Sequence, residues 1–370
     1  MIAEDIYDIN PVVDVYVIDN CQIDFFFITT RKRISMNVSP IVVDFISKID
    51  GKSSMSELCE LLNIDINTSQ LQDFVEYLTQ KKILVLNRRH NDTFLCENDL
   101  KRYDRQLNYL SSYENISPYE SQKKIQDKCF VIFGVGAIGS GIAIQLVMSG
   151  ARNIILIDKD ILQPKDIQRH FYFKTEDVGS PKVDALKTYL NDIDSKLNCK
   201  TIKQVVDYDS DISSIIPDNS FVINTLDEPY IGYTSLKIGR ECFSRNIPLY
   251  VAGGFDAHLM STGELIVPYL TPCVDCYISY FTKSLQNWKP KYNVEALDVQ
   301  QTTDNEIFEV GGLSSMSLFA VSYAMIVILN FIVTENAEYT KGRGELLFDT
   351  MEVKYLNIPK NLQCDVCGNK

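Results

Sequence analysis

Histidine is scarce in this chain of 370 residues: three in all, His90, His170 and His258, which share no local motif. A catalytic triad or metal centre built on histidine is therefore a weak expectation. His258, in GGFDAHL, can line a site or serve as a satisfied structural side chain. Positive charge is also short. Against 49 acidic side chains there are 36 lysines and arginines, a formal net charge of −13. Nucleic acid is therefore not expected as a partner, because phosphate backbones select the opposite sign. The N-terminus, MIAEDIYDIN, is acidic and has no apolar run, so it is no signal peptide, and a cytoplasmic protein is expected. No internal repeat or low-complexity tract interrupts the chain. The longest apolar stretch, residues 313–333, carries serines and Asn330 and reads as a buried helix, so no membrane partner is expected.

What is present suits an ordinary globular protein, with 45% hydrophobic and 23% charged residues and length enough for two domains. Residues 1–90 form one expected unit. VDVYVIDNCQIDFFFITTRKRISM reads as two or three strands broken at Asp19-Asn20 and near Thr30. Ser39-Pro40 opens a helix whose face is Ile41, Val42, Phe45, Ile46 and Ile49, with Gly51 as its end. Ser54 and Glu57 have capping-box spacing before a second helix, and a third over 68–81 turns Leu71, Phe74, Val75 and Leu78 inward. Residues 82–86 close as a strand. This is a small winged-helix-like α+β arrangement. Residues 91–122 read as a polar linker and a charged helical arm containing Arg102-Tyr103-Asp104-Arg105-Gln106. From 123 the pattern alternates strand and helix, which implies an α/β domain with a mainly parallel sheet and right-handed crossovers.

Chemistry concentrates in that second half. FVIFGVGAIGSG, residues 130–141, is a strand running into Gly134, Gly136 and Gly139 and then a helix, the pattern that aims backbone amides at a phosphate. Asp158 ends the next strand, about 20 residues on, where an acid can bind ribose hydroxyls. These features fit a dinucleotide and ATP equally. Arg169 in KDIQRHF and Lys182 in DVGSPK follow, and two cations there suit a triphosphate better than a hydride-transfer site. Asp227 lies just past the strand 221–224, at the sheet's carboxyl edge, where a carboxylate can hold magnesium. Four of the ten cysteines form two C-x-x-C pairs, Cys273 with Cys276 and Cys364 with Cys367. Four thiolates match a closed structural zinc site; an iron–sulfur cluster and unliganded thiols are the alternatives.

The set RYDRQ, GVGAIGSG, DKD, IQRH, VGSPK, TLDEP, CVDC and CDVC, in this order over residues 100–370, resembles the ubiquitin-activating-enzyme-like adenylating family, which includes ThiF and MoeB. The resemblance implies a Rossmann-like adenylation domain over 123–370 that binds Mg-ATP, adenylates a carboxylate and releases pyrophosphate, as a homodimer. By position, Gly134, Gly136, Gly139, Asp158, Asp160 and Gln168 would bind ATP. Arg169 and Lys182 would contact its phosphates, Asp227 would organise Mg2+, and Arg105 matches the arginine finger that reaches into a partner subunit. Two departures stand out. The family's Asn-Leu-x-Arg-Gln is here Asp166-Ile167-Gln168-Arg169-His170, and the acid could repel a triphosphate or join the metal shell. Between Cys276 and Cys364 there is no cysteine, which argues against protein transfer through an enzyme thioester.

The unit ahead of the adenylating domain resembles the peptide clamp of the microcin C peptide adenylyltransferase and its relatives. That likeness implies a precursor or leader peptide as partner, with the segment 25–36 as an edge for strand addition. The expected activity is adenylation of a ribosomally made peptide, at its C-terminal residue or an acidic side chain, in peptide antibiotic or bacteriocin biosynthesis. Three alternatives are a ubiquitin-like sulfur carrier as substrate, a non-catalytic peptide-presenting partner of a cyclodehydratase, and an NAD oxidoreductase. The last leaves the cations and the cysteines idle.

Overall fold

A computed structural model describes residues 3–86, 95–113, 116–172, 174–207, 209–228, 231–256, 259–284, 312–337 and 342–368. The chain divides into two compact units, Met1–Lys123 and Lys124–Lys370. The boundary expected between 90 and 91 lies outside the described residues, as do His90 and His258.

In the first unit β1 (Tyr7–Ile9) is followed by a meander of β2 (Val13–Asp19), β3 (Gln22–Phe27) and β4 (Arg33–Asn37), all antiparallel in the order β2-β3-β4. The Asp19 carboxylate accepts the Cys21 N–H at 2.7 Å and fixes the first turn. Arg31, at φ 59°, makes the second. Three helices follow, α1 (Pro40–Lys48), α2 (Met55–Leu61) and α3 (Ser69–Gln80), then β5 (Leu84–Leu86), which pairs with β1. Strand β3 packs Ile23 and Phe25 into a core with Phe45, Met55, Leu58, Leu78 and Ile83, while Asp24 between them is buried as well. The Ser54–Glu57 capping box forms as its spacing requires. Helix α1 departs from expectation at both ends. It stops at Lys48 instead of Gly51, because the Asp50 carboxylate captures the Lys52 and Ser53 N–H groups at 2.8 Å and turns the chain. Val43 is buried in place of Ile41, which sits in the exposed first turn. The segment 25–36 is also corrected: Phe25–Phe27 belongs to the inner strand, and of that segment only the part in β4 borders an open edge of this sheet. The arm forms α4 (Glu97–Arg102) and α5 (Asp104–Leu110), pinned by Leu95, Tyr103 and Leu107. Helix α6 (Pro118–Asp127) crosses the boundary between units.

The second unit is built on a six-stranded sheet. Its members are β6 (Cys129–Phe133), β7 (Asn153–Ile157), β8 (Asn198–Ile202), β9 (Ser220–Asn224), β10 (Leu249–Val251) and β13 (Glu264–Ile266). The order is β13-β10-β9-β6-β7-β8, and every pairing is parallel except that of the edge strand β13. Strands β6 and β9 are buried almost throughout, as a sheet covered on both faces demands. The crossovers are α7 (Ala137–Met148), α8 (Lys182–Ile193) and α9 (Ile231–Ser244). A second, antiparallel sheet joins β11 (Phe255–Asp256), β12 (Leu259–Ser261), β14 (Gly344–Leu347) and β15 (Glu352–Tyr355). Helices α10 (Val274–Ser284) and α11 (Ser314–Thr334) complete the unit. Among the described residues α11 alone is long and apolar enough to cross a membrane; half of its apolar window is buried, and it packs on α7. Gly141 permits that contact, since a Cβ there would lie 2.6 Å from Val321. The chain runs outward from β6 to β8 and then returns to β9, so the topological switch point lies between β6 and β9, where open α/β sheets hold ligands.

Candidate active site

The glycine turn sits at this switch point. Gly134 follows β6 with φ +86°, and its N–H bonds Ile157 O at 2.8 Å. Gly139 backs onto it so closely that a Cβ would lie 2.0 Å from Gly134 O. Across the crevice Thr225, just past β9, donates its hydroxyl to Gly134 O at 2.9 Å. Gly136 is different. Its φ of −64° suits any residue, and an added Cβ would meet nothing within 4 Å. Neither backbone nor packing requires glycine there. The open space lies at the N-terminus of α7, where a phosphate needs close backbone approach.

Asp158 directly follows β7 and is buried. Its carboxylate accepts the Val135 N–H at 2.7 Å and the Asp160 N–H at 2.8 Å, so the acid is locked to the glycine turn. Lys182 is the first residue of α8, and its Nζ stands 3.0 Å from Asp160 and 3.9 Å from Asp166. Burial works against its charge, but the hydrogen bond to Asp160 and the nearby carboxylates outweigh it and raise its pKa. Asp166 is buried in a tight turn, where its carboxylate takes the Gln163 N–H at 3.0 Å. The Asp166 carbonyl accepts the Arg169 N–H at 3.0 Å and His170 Nδ1 at 2.8 Å. Burial lowers the pKa of His170 despite that bond, and its ring meets Tyr172 edge-on at 5.6 Å. Arg169 is half-buried and Gln168 exposed. Asp227 is open to solvent, yet enough protein surrounds it that desolvation raises its pKa; Glu228 and Asp160 push the same way and Lys182 opposes them.

Asp158, Asp160, Lys182 and Asp227 therefore converge on the crevice, with the Arg169 turn tied in through Asp166. Arg105 is exposed on α5, in the other unit. Sequence reasoning missed three supporting features. Thr225 latches the glycine turn. Asn224, fully buried, bonds Thr234 and Ser235 at 3.1 Å each and takes the Leu226 N–H, which shapes the Asp227 loop. Lys159 pairs with Glu228 at 2.6 Å. The TLDEP motif contained two of these residues, but nothing in its spacing reveals the contacts.

The four paired cysteines meet at the start of α10. Their Sγ atoms all lie within 4.8 Å of one another, with near contacts of 3.4, 3.6 and 3.8 Å. A tetrahedral site with Zn–S near 2.3 Å requires sulfur separations of roughly 3.8 Å, so the cluster fits zinc. The Asn361 N–H points at Cys276 Sγ from 3.4 Å, and Arg240 holds Asp275 of the first knuckle. Burial raises the Cys273 and Cys367 thiols, a penalty that a bound divalent cation offsets.

The sequence profile described as the ThiF family matches residues 103–366. The chain belongs to the ThiF family. Among curated relatives, the molybdopterin-synthase adenylyltransferase of Escherichia coli K12 is 22% identical over 74% of this chain and 98% of its own length. The sulfur carrier protein ThiS adenylyltransferase of the same organism is 25% identical over 49% of this chain and 68% of its own. Among solved structures, E. coli MccB with AMPCPP and MccA superposes with a TM-score of 0.72 at 20% identity, covering 98% of this chain and all of that one. PaaA superposes at 0.71 and 20% identity, covering 95% and 99%. At such identities the structural likeness establishes the fold. Family membership establishes the enzyme class: this ThiF-family chain is an ATP-dependent adenylyltransferase.

Proposed function

We propose that the protein adenylates a ribosomally made precursor peptide, at its C-terminal residue or an acidic side chain, in the biosynthesis of a peptide antibiotic or bacteriocin. The observation that supports this reading is one of coverage. The molybdopterin-synthase relative, taken nearly whole, leaves part of this chain over, whereas MccB, solved with a peptide and an ATP analogue, matches from end to end. The surplus agrees with a first unit devoted to the substrate.

In this reading a peptide carboxylate attacks the α-phosphorus of ATP, the bond from that phosphorus to the bridging oxygen breaks, and pyrophosphate leaves with the electron pair. Gly134, Gly136 and Gly139 give the phosphates backbone amides at the start of α7, and Asp158 takes the ribose hydroxyls, with Asp160 and Gln168 beside them. Arg169 and Lys182 offset the charge that grows on the phosphoryl oxygens. Asp227 would hold Mg2+, which supplies Lewis-acid charge to the phosphates. Zinc at Cys273, Cys276, Cys364 and Cys367 is structural, and its removal by a chelator lowers the unfolding temperature without a change in ATP affinity at low temperature. Leu318, Phe319 and Ile326 leave an exposed apolar stripe on α11, which agrees with a homodimer; in such a homodimer Arg105 would serve the partner subunit's site. The peptide adds to the β4 edge, Arg33–Asn37.

Intact-mass analysis of the short peptide encoded beside the gene, after incubation with the protein and Mg-ATP, tests the proposal. A nucleotide-bearing or dehydrated peptide with matching pyrophosphate supports it. The two sulfur-transfer relatives favour one competing reading, a carrier-protein C-terminus as substrate. Pyrophosphate release with such a carrier and none with the peptide selects that reading.

A further inference from the structure

The loop between β7 and α8 is closed at its base. Leu162 and Ser180 share one backbone bond of 2.8 Å, Gly179 and Leu162 another of 2.9 Å, and the Lys182 N–H bonds Asp160 O at 2.9 Å. Arg169 rides inside this closed loop and Lys182 stands at its exit, so two cations sit on segments that could move independently. Asp166 joins them. The Asp166 carbonyl receives the backbone N–H groups of Arg169 at 3.0 Å and of His170 at 3.1 Å, together with the His170 ring. Its carboxylate takes the Gln163 N–H with the same Oδ2 that faces Lys182 Nζ at 3.9 Å. The side chain is 5% exposed, so this is a charge held inside protein and balanced by a lysine that is itself 12% exposed. A buried carboxylate tolerates removal of its counter-charge poorly.

We propose that Asp166 is a positioning residue which couples the Arg169 turn to the Lys182 ammonium, so that both cations meet one triphosphate. The inference rests on the adenylation reading, in which Arg169 and Lys182 contact phosphate. Asp160, at the mouth of the site, holds Lys182 by a direct hydrogen bond, and Asp166 sets its position from the buried side. The acid at 166 thus acts on the cation and not on the metal or the nucleotide.

The test is a cycle of D166N and K182A in the full chain, read by ATP affinity, by the KM for ATP against kcat, and by thermal unfolding without ligand. Asparagine still accepts the Gln163 N–H but loses the charge. The expected result is that D166N raises the KM and Kd for ATP about tenfold, with a smaller effect on kcat. In the K182A background D166N weakens ATP binding no further, and it raises the unfolding temperature of K182A by about 3 °C, because the stranded buried charge is gone. If D166N does not fold, D166E serves: it keeps the charge, displaces it by one methylene, and weakens ATP binding only where Lys182 is present. Wild-type affinity or better in D166N, an equal loss in both Lys182 backgrounds, or no recovery of K182A stability overturns the coupling. A wild-type chain that binds no Mg-ATP overturns the adenylation reading with it, whereas normal wild-type binding confines the failure to Asp166.

Discussion

In the proposed function the two units present their sheets to ligands in opposite ways. The six-stranded sheet offers its carboxyl end, where the proposed function would rest on particular side chains: an absent Cβ at Gly136, a locked acid at Asp158, and a lysine braced by a carboxylate. The three-stranded sheet offers a flank, and there the proposed recognition rests on the backbone of β4, with side chains only decorating it. A site made of charges tolerates almost no substitution. A site made of main-chain hydrogen bonds tolerates most substitutions except those that remove an N–H. Five substitutions sharpen this contrast.

The largest effect is expected from Gly139→Ala, whose Cβ would collide with Gly134 O. It should destabilise the unit by about 1–3 kcal/mol or more and abolish ATP binding, as thermal unfolding and calorimetry would report. Gly136→Ala is its counterpart: unfolding of the ligand-free chain stays unchanged, because the space is open, while ATP affinity falls. Equal stability losses in the two variants would erase the distinction between a structural and a ligand-facing glycine. Next, Arg169→Ala should slow pyrophosphate release on the order of 10²–10³-fold at saturating peptide. The smallest effect belongs to the first unit. Proline at Ser35 and at Met36 removes N–H groups that point to opposite sides of β4. The variant that loses the outward one should raise the peptide KM up to about tenfold and leave ATP binding alone. A change in ATP binding from that variant would break the comparison.

How much of this the sequence carried follows from the same contrast. Strand β6, the glycines, Asp158 and the two C-x-x-C pairs were legible because each is local, a residue type at a set spacing that few structures other than the observed one can use. The capping box of α2 was legible for the same reason. Strand β8 was not, since this edge strand, Asn-Cys-Lys-Thr-Ile, buries only Cys199 fully; nor was the antiparallel sheet β11-β12-β14-β15, whose strands are very short and whose β12 and β14 meet across a long stretch of chain. The end of α1 was misplaced because Gly51 is a strong stop signal, while the decisive event is a side-chain bond from Asp50 to the backbone. Segment 25–36 looked like an edge because apolar alternation reports which face is buried and says nothing about which strand lies outermost. Asp166 is the instructive case in the site. In the sequence it is an acid beside two cations expected to meet phosphate, and repulsion is the natural concern. In the folded chain it is buried, turned toward Lys182 and bonded to Gln163, a role that only the loop's closure creates.

The most direct test of the central claim is the fate of ATP. The protein is incubated with Mg-ATP and the candidate peptide, and the phosphorus-containing products are separated. The expected result is pyrophosphate in step with an adenylated or dehydrated peptide, because the proposed reaction breaks the bond between the α-phosphorus and the bridging oxygen. ADP with inorganic phosphate, or intact ATP beside tightly bound nicotinamide dinucleotide, would contradict it.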